Sequence, residues 1–341
     1  MERSSFTLDL GAIRRNAATL LRAAGGAELW AVVKANGYGH GASDVARAAL
    51  RGGASALCVA TVDEALELRA VPALDDARVI VMGPANEREL REASVARLEI
   101  VVAGGPVPDG IPLHLKIDTG MGRWGLSELP TPTRSVVGVM SHLAAAESDA
   151  DFTSLQIERF REATADLSDT LVRHLANSAG ALRYPAASFD AVRCGIALYG
   201  ISPFGSDPAL DGLEPALRWE SYVALAKLLE PGDSTGYGRR YVADEPNWIG
   251  VVPVGYADGF RRDLTGTEVL VDGQRRRVVG TVSMDAMAVE LDHEVAIGTP
   301  VTLLGDGISI EEHARVAATI GYEIATGLNT SFTRARRAVR E

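Results

Sequence analysis

The feature of this sequence that most constrains its fold is a regular alternation of short apolar runs with helical stretches. Amphipathic or alanine-rich stretches separate most of the runs, and Thr61 with Glu64 forms the capping-box pattern of a helix start. Strands that alternate with helices pair in parallel, so eight such units predict an α/β chain with a closed (β/α)8 TIM-like barrel. The eight apolar runs are residues 29–33, 54–60, 78–83, 98–103, 112–117, 135–141, 170–175 and 189–194.

Two features mark the limits of this pattern. Residues 104–110, rich in glycine and proline, are too short to hold a crossover helix between the fourth and fifth runs. After Leu217 the pattern changes to strands with turn signals, and a late helix is predicted over residues 311–320. We therefore predict a barrel domain over residues 1–217 and a mostly β domain over residues 218–341. The first strand, residues 5–10, is open to pairing with either domain. The later strands are predicted at 222–229, 248–254, 268–271, 277–282, 287–291 and 301–304, with an Asp272-Gly273 hairpin turn.

Composition narrows the classes of function. The 34 Lys and Arg residues against 45 Asp and Glu residues give a net charge of −11, which argues against a nucleic-acid partner. No apolar run approaches the roughly 18 residues of a membrane span, so we expect no membrane partner and a cytoplasmic protein. The two cysteines, Cys58 and Cys194, are too few for a disulfide framework. The six histidines are scattered without metal-ligand spacing, and no metal is expected.

Polar and cationic residues follow the apolar runs at the positions where barrel enzymes carry their catalytic groups. Lys34 directly follows the first run, and partial desolvation there makes it a Schiff-base candidate. Each such residue taken singly is more often a solvated or structural side chain. A reactive lysine together with a phosphate cradle, formed by Ser178 and the N–H groups around Gly195 and Ile196, predicts a barrel that holds pyridoxal 5′-phosphate. The other residues at strand ends are Lys116, Arg123, His142, His174, Asn177 and Arg193.

Four motifs together resemble those of the alanine racemase family. The resemblance extends from Phe6 to Ile324 and implies a two-domain enzyme with pyridoxal 5′-phosphate as its cofactor. The motifs are residues 33–41 (VKANGYGHG), 116–125 (KIDTGMGRWG), 193–200 (RCGIALYG), and 255–259 (GYADG) with 282–285 (VSMD).

The resemblance implies an isomerase that interconverts L-alanine and D-alanine and supplies D-alanine for bacterial peptidoglycan. Lys34 would bind the cofactor covalently and act as one base. Tyr237 would be the other base, contributed by the partner subunit of a homodimer. The family further implies a hydrogen-bonded series of Tyr237, His174 and Arg193, with Arg193 facing the pyridine nitrogen, where its fixed charge leaves that nitrogen unprotonated.

The remaining roles are carried over position by position. Arg123 would bind the substrate carboxylate with help from the Met284 N–H, and Lys116, which is often carbamylated in the family, would orient Arg123. His142 and Asn177 would line the cofactor. The phosphate would be held by Tyr38, Ser178, Gly195, Ile196 and Tyr322, and the entrance narrowed by Tyr256 and Tyr322.

Two other functions fit parts of the sequence. A pyridoxal decarboxylase of basic amino acids has the same two domains but uses a cysteine of its β domain, whereas both cysteines here precede residue 218. A non-catalytic pyridoxal-phosphate carrier resembles the barrel alone, and the 120-odd residues after Leu217, with their own motifs, argue against it.

Overall fold

The computed structural model of the chain describes residues 2–341 and divides into two compact units. One unit runs from Ala12 to Glu214, and the other combines the residues up to Gly11 with Pro215–Glu341. The second unit therefore takes strands from both ends of the sequence, beginning with β1 (Ser5–Asp9).

The Ala12–Glu214 unit is built on parallel strands that are buried on both faces. In the described part of the chain they are β2 (Glu28–Val32), β3 (Ala56–Val59), β4 (Val79–Val81), β5 (Glu99–Val102), β6 (Leu113–Lys116), β7 (Val136–Met140), β8 (Val172–His174) and β9 (Ala191–Cys194). These eight strands form a closed barrel, in which β2 pairs with β9. Each strand overlaps one of the predicted apolar runs, so the predicted barrel is confirmed.

Helices occupy most of the connections between these strands. The first helix, α1 (Leu10–Ala24), buries Ile13, Ala17 and Leu20, and α3 (Val62–Arg69) begins with the predicted capping box, in which Thr61 Oγ1 accepts the Glu64 N–H. Within residues 2–341 we find no helix with the length and apolar character needed to span a membrane. The helices are α1 (Leu10–Ala24), α2 (Ala42–Arg51), α3 (Val62–Arg69), α4 (Glu87–Val95), α5 (Ala150–Thr164) and α6 (Ser178–Arg183).

Two fully described connections of the barrel contain no helix. Residues 103–112 are the connection that the sequence marks as too short, and β5 and β6 still pair in parallel across it, Ile100 opposite Leu113. Residues 117–135 also lack a helix, which the sequence pattern does not reveal. There the chain forms a loop that returns beside its own start in the same direction, and Ile117 and Leu126 form an isolated parallel bridge.

The other unit is dominated by one mixed sheet. After β1, the elements of this unit are β10 (Leu217–Tyr222), β11 (Leu225–Leu229), β12 (Ser234–Thr235), β13 (Tyr241–Val242), β14 (Asn247–Val252), β15 (Glu268–Val271), β16 (Gln274–Val279), β17 (Met287–Leu291), β18 (Pro300–Leu304), α7 (Ile310–Val316), α8 (Gly321–Thr326) and β19 (Arg336–Arg340). Among the described residues the strand order of the sheet is β11-β14-β17-β16-β15-β18-β10-β1-β19, and the first strand of the chain pairs antiparallel with β10 and parallel with β19.

This unit departs from the sequence prediction in several places, and the short strands β12 and β13 are among the elements that were not predicted. The strand predicted over residues 222–229 is two strands, because the chain changes partner: the Val223 N–H donates to Thr299 O and the Ala224 N–H to Val251 O. The helix predicted over residues 311–320 ends earlier, since Ala318 has a left-handed φ of 50°. Strand β19, in which three of five residues are arginines, was not predicted at all.

Candidate active site

Lys34 lies where the first barrel strand meets the rim. It follows β2 and Val33 and opens a tight turn, Lys34–Tyr38, in which Ala35 (φ 52°) and Asn36 (φ 50°) have left-handed backbones. Such conformations are costly for residues other than glycine and persist where neighbouring groups hold them. Glu64 Oε1 accepts the Ala35 N–H at 2.7 Å, and Asn36 Oδ1 accepts the Ala42 N–H at 3.1 Å. These contacts fix the direction in which Lys34 leaves the strand.

The environment of Lys34 favours its neutral amine. Burial lowers the pKa of Lys34, the charge of Arg123 lowers it further, and Glu64 acts in the opposite direction. Desolvation disfavours the ammonium, so the neutral amine is populated at lower pH than in an exposed lysine. The neutral amine both attacks carbonyl carbons and accepts protons. The site therefore suits Lys34 to Schiff-base and general-base chemistry.

A second lysine, Lys116, ends β6. It is 4% exposed, and burial, followed by the charges of Arg123 and Arg193, lowers its pKa to about 8. A lysine with this pKa is partly neutral just above neutral pH. Lys116 is therefore a second reactive amine on the rim, less accessible than half-buried Lys34.

The loop after β6 presents Arg123 to solvent. Its turn is held by Asp118, whose carboxylate accepts the N–H groups of residues 120–122 at 2.8 to 3.2 Å. The guanidinium of Arg123 lies 5.6 Å from the centre of the Trp124 ring, and Lys116 Nζ lies 5.9 Å from it. An exposed guanidinium on a braced loop can bind a carboxylate in a two-pronged fashion.

Arg193, in β9, is a buried cation surrounded by acceptors. Its Nη1 donates to His174 Nδ1 at 2.9 Å and to His174 O at 2.8 Å. Its Nη2 donates to Ser141 O at 2.7 Å and to Leu175 O at 3.1 Å, and lies 3.2 Å from His142 Nδ1. Burial lowers the pKa of Arg193 to about 10, so the guanidinium is protonated at neutral pH.

The two histidines beside Arg193 are neutral. Burial and then the Arg193 charge place the pKa of His142 and that of His174 well below the ordinary histidine value. His174 Nε2 lies 2.9 Å from His114 Nδ1. Both ring nitrogens of His174 thus have partners inside the barrel. A hydrogen bond from Tyr237 to His174 would require one of these two contacts to break.

Hydroxyl and amide groups gather beyond the ends of β8 and β9. Ser178 opens α6, and its Oγ accepts the N–H groups of Gly195 at 3.1 Å and Ala197 at 3.4 Å. A Cβ atom on Gly195 would lie 2.5 Å from the Tyr38 hydroxyl oxygen, so glycine is needed for this hydroxyl to approach. Asn177 caps α6 by accepting the Gly180 N–H at 2.9 Å. The cluster, which includes buried Ile196, offers donors to a phosphate.

The barrel residues fit pyridoxal 5′-phosphate. Arg193 Nε is buried, and no group within residues 2–341 accepts a hydrogen bond from it. Buried donors are nearly always bonded, so this N–H lacks an acceptor that a pyridine nitrogen would supply. Lys34 would meet the aldehyde and the Ser178 cluster the phosphate. Each polar end of the cofactor therefore has a counterpart among these residues.

Three of the four predicted site residues of the β unit lie in loops or short turns, and the fourth lies in a helix. Tyr237 is 74% exposed in the turn Tyr237–Arg239, whose position is fixed by a hydrogen bond of 2.8 Å from Thr281 Oγ1 to Tyr237 O. The loops of Tyr256 and Met284 are joined by backbone bonds, including one from the Ala257 N–H to Met284 O at 3.0 Å. Tyr322 is half-buried in the first turn of α8.

The sequence pattern did not reveal the residues that hold these groups in place. Glu64 was assigned a capping role, yet its carboxylate also holds the Lys34 turn. Glu99 and His114 lie within runs counted as apolar strand. A polar residue inside a buried strand must find a partner, and this is the signal that points to them.

The sequence is similar to known proteins over nearly its whole length. Residues 8–203 match the family of alanine racemase N-terminal domains, and residues 216–336 match that of alanine racemase C-terminal domains. The alanine racemase of Levilactobacillus brevis is 39% identical and covers 98% of each chain. Alanine racemase 1 of Bacillus subtilis is 38% identical over 96% of this chain and 91% of its own.

Solved structures show the same likeness. The biosynthetic alanine racemase of Pseudomonas aeruginosa superposes with a TM-score of 0.90 at 36% identity over 100% of both chains. The Bacillus anthracis alanine racemase with bound L-Ala-P has a TM-score of 0.87 at 34% identity, over 100% of this chain and 96% of its own. The Bartonella henselae alanine racemase with covalently bound pyridoxal phosphate has a TM-score of 0.87 at 26% identity over 100% of both chains.

The lowered pKa of Lys116 predicts a stability effect that depends on pH. The folded protein favours neutral Lys116, so burying the ammonium costs stability below pH 8, and this cost disappears as the pH rises from about 8 to 10.5. The free energy of unfolding of Lys116→Met, relative to the unaltered protein, is expected to be about 3 kcal/mol higher at pH 7 than near pH 10.5, with the difference shrinking progressively above pH 8. Urea unfolding in carbon-dioxide-free buffer measures this difference.

Lys227→Met is the matched control, because Lys227 is exposed on β11. Its effect on the free energy of unfolding should stay constant across the same pH range. A Lys116→Met effect that is equally constant would contradict the assigned environment of Lys116.

Proposed function

The chain belongs to the alanine racemase family, and from this premise we propose that it uses pyridoxal 5′-phosphate to interconvert L-alanine and D-alanine by a two-base mechanism. Supply of D-alanine is the known role of this family, and we place its use here in bacterial peptidoglycan. The observation that carries the proposal is the similarity over the whole length, which includes both domains in one chain. The rim residues described above support it.

The barrel residues would hold the cofactor at three points. Lys34 Nζ would bind it covalently, Arg193 Nε would donate to its ring nitrogen, and Tyr38, Ser178, Gly195, Ile196 and Tyr322 would hold its phosphate, with His142 and Asn177 alongside. When bound, the cofactor withdraws electron density from the substrate α-carbon and makes its proton acidic. Arg193 is protonated at neutral pH, so it would leave the ring nitrogen of a bound cofactor without a proton and would moderate this withdrawal.

Two bases on opposite faces perform the inversion. Lys34 Nζ, whose pKa burial lowers, would exchange a proton with one face of the α-carbon. Tyr237 Oη would exchange a proton with the other face. The exposure of Tyr237 on a braced turn suits a hydroxyl that reaches a site outside its own loop. Exchange of the two roles converts L-alanine to D-alanine or the reverse.

Substrate binding is assigned to cationic and loop residues. Arg123, exposed on the loop that Asp118 holds, would bind the alanine carboxylate, and the Met284 N–H would assist. Tyr256 and Tyr322 would narrow the entrance. A small apolar side chain would then be the only part of the substrate without a polar contact.

We further propose a cytoplasmic homodimer in which each site takes Tyr237 from the partner subunit. Both cysteines are free and buried in barrel strands, which fits a reducing compartment. Their position also disfavours the decarboxylase alternative, since neither cysteine lies in the β domain. The sharing of sites is the part of this proposal that subunit mixing can test.

Lys34→Ala should abolish racemisation and the visible absorbance of the bound cofactor. The chain has three lysines, and neither of the other two is both accessible and placed on the rim. Activity is measured as D-product formed from a panel of L-amino acids with and without added cofactor. Lys227→Ala, the matched control, should keep both properties. Unchanged absorbance in Lys34→Ala would overturn the assigned cofactor site.

Lys116 is predicted to carry a carbamate. A pKa of about 8 leaves much of the amine neutral and able to react with carbon dioxide at pH 8, and the resulting anion would offset the charges of Arg123 and Arg193. ¹³C NMR of protein in ¹³C-bicarbonate should show one carbamate signal that Lys116→Met lacks and Lys227→Met retains. Absence of this signal from the unaltered protein at saturating bicarbonate would contradict the prediction.

Mixing two inactive variants tests the shared site. Lys34→Ala and Tyr237→Phe proteins, denatured and refolded together, should form mixed dimers as half of the population, each with one intact site. Activity should return to roughly a quarter of the unaltered enzyme. Either variant refolded alone is the control. If mixed dimers form without activity, Lys34 and Tyr237 act within one chain.

A further inference from the structure

A series of polar side chains crosses the barrel interior beneath Arg193. Arg78 Nε and Nη2 donate to the two carboxylate oxygens of Glu99 at 2.7 and 3.0 Å. Glu99 Oε2 lies 2.7 Å from His114 Nε2, and His114 Nδ1 lies 2.9 Å from His174 Nε2. His174 Nδ1 in turn meets Arg193 Nη1 at 2.9 Å. Glu99 begins β5 and His174 ends β8, so the series runs from one end of the barrel to the other.

The chemistry of its two ends fixes every proton in the series. A guanidinium only donates, so His174 Nδ1 must accept from Arg193. Neutral His174 then carries its proton on Nε2 and donates to His114 Nδ1. His114 consequently carries its proton on Nε2 and donates to Glu99, which as a carboxylate only accepts. All the donors point in one direction, from Arg193 to Glu99.

The alternative with a charged His114 is incompatible with Arg193. A doubly protonated His114 would donate through Nδ1 to His174 Nε2. His174 would then carry its proton on Nδ1, directed at the Nη1 donor of Arg193. Burial lowers the pKa of His114, and the hydrogen bond to Glu99 acts in the opposite direction. The pKa of Glu99 falls to about 2, because hydrogen bonds from His114 and Arg78 outweigh the effect of its burial. A carboxylate next to a neutral imidazole satisfies every contact.

The residues around this series enclose it and hold its side chains in line. Trp30 is fully buried, and its ring lies 4.5 Å from the His174 ring, 5.6 Å from the His114 ring and 4.7 Å from the guanidinium carbon of Arg78. A Cβ atom on Gly138 would lie 2.3 Å from His114 Nδ1, so β7 leaves the space that His114 occupies. In such an enclosed site the hydrogen bonds are strong and a misplaced proton is costly.

We propose that Arg78, Glu99 and His114 are positioning residues that hold His174 as the Nε2-protonated tautomer and thereby fix the direction of Arg193 Nε. The Nη groups of Arg193 are committed to His174, Ser141 and Leu175, which leaves Nε for the cofactor. If His174 changed tautomer, two donors would face each other and Arg193 would have to turn. One part of this inference rests on the proposed function, namely that a pyridine nitrogen accepts the hydrogen bond from Arg193 Nε.

The tautomers can be measured directly. Ring ¹⁵N NMR of the full-length protein, with and without saturating pyridoxal 5′-phosphate, should show His114 and His174 as neutral Nε2–H tautomers at pH 7.5. The chain has only six histidines, so their ring nitrogen signals can be assigned. The His114 signals are identified by their loss in His114→Gln. A charged His114, or His174 protonated on Nδ1, would overturn the proposal. This measurement needs no folded variant at Glu99.

Glu99→Gln tests the positioning role. If the amide oxygen faces Arg78, the amide nitrogen donates to His114 Nε2 and reverses the series. We expect Nδ1–H signals to appear on His114, kcat to fall roughly tenfold, and KM for alanine to change less than about twofold, because the carboxylate contacts are elsewhere. The matched control is Glu214→Gln, which removes the charge of an exposed carboxylate that is hydrogen-bonded to Arg15 in the same unit. This variant should change neither the histidine tautomers nor kcat.

The outcomes separate this inference from the proposed function. Racemase activity with unchanged tautomers and unchanged kcat in Glu99→Gln would refute the positioning role and leave the function intact. Expected tautomers in a protein that racemises no amino acid would refute the function and leave the proton assignment intact. A fall in kcat without any change of tautomer would also count against the inference, since it would point to a general loss of packing.

Discussion

The barrel rim depends on the burial of one cation, the guanidinium of Arg193. Removing such a charge from water is costly unless its donors are bonded. Parallel strands present carbonyl oxygens at their C-terminal ends, and Ser141, His174 and Leu175 supply them here from β7 and β8. The carbonyl groups at the ends of the barrel strands therefore take the place of water around the cation. Replacing Arg193 by an apolar residue would leave several of these carbonyl groups unpaired.

The field of that cation organises its surroundings. It contributes to the lowered pKa of Lys116, His142 and His174, while Arg123 acts in the same way on Lys34. The rim is therefore cationic although the whole chain carries a net charge of −11. An anionic phosphate and a substrate carboxylate complement such a rim, so overall charge describes the surface of this protein and not its site.

The barrel was readable from the sequence because strands buried on both faces give continuous apolar runs. The strand ends, and with them Lys34, Lys116, His174 and Arg193, follow from that topology. Features set by distant partners were not readable. The break after Tyr222 arises from a change of partner strand, and β19 owes its place to β1. The hydrogen bonds of Glu64 with the Lys34 turn and of His114 with His174 likewise join residues that are far apart in sequence.

The choice of Lys34 for covalent chemistry follows from what surrounds the three lysines of the chain. Lys227 is exposed on β11, in the unit that does not contain the barrel. Lys116 has a lowered pKa but is almost entirely buried next to Arg123 and Arg193. Lys34 combines a lowered pKa with partial exposure on a strained turn. Reactivity and access coincide only there, because Lys34 follows β2 at the start of the turn Lys34–Tyr38 and is only half-buried.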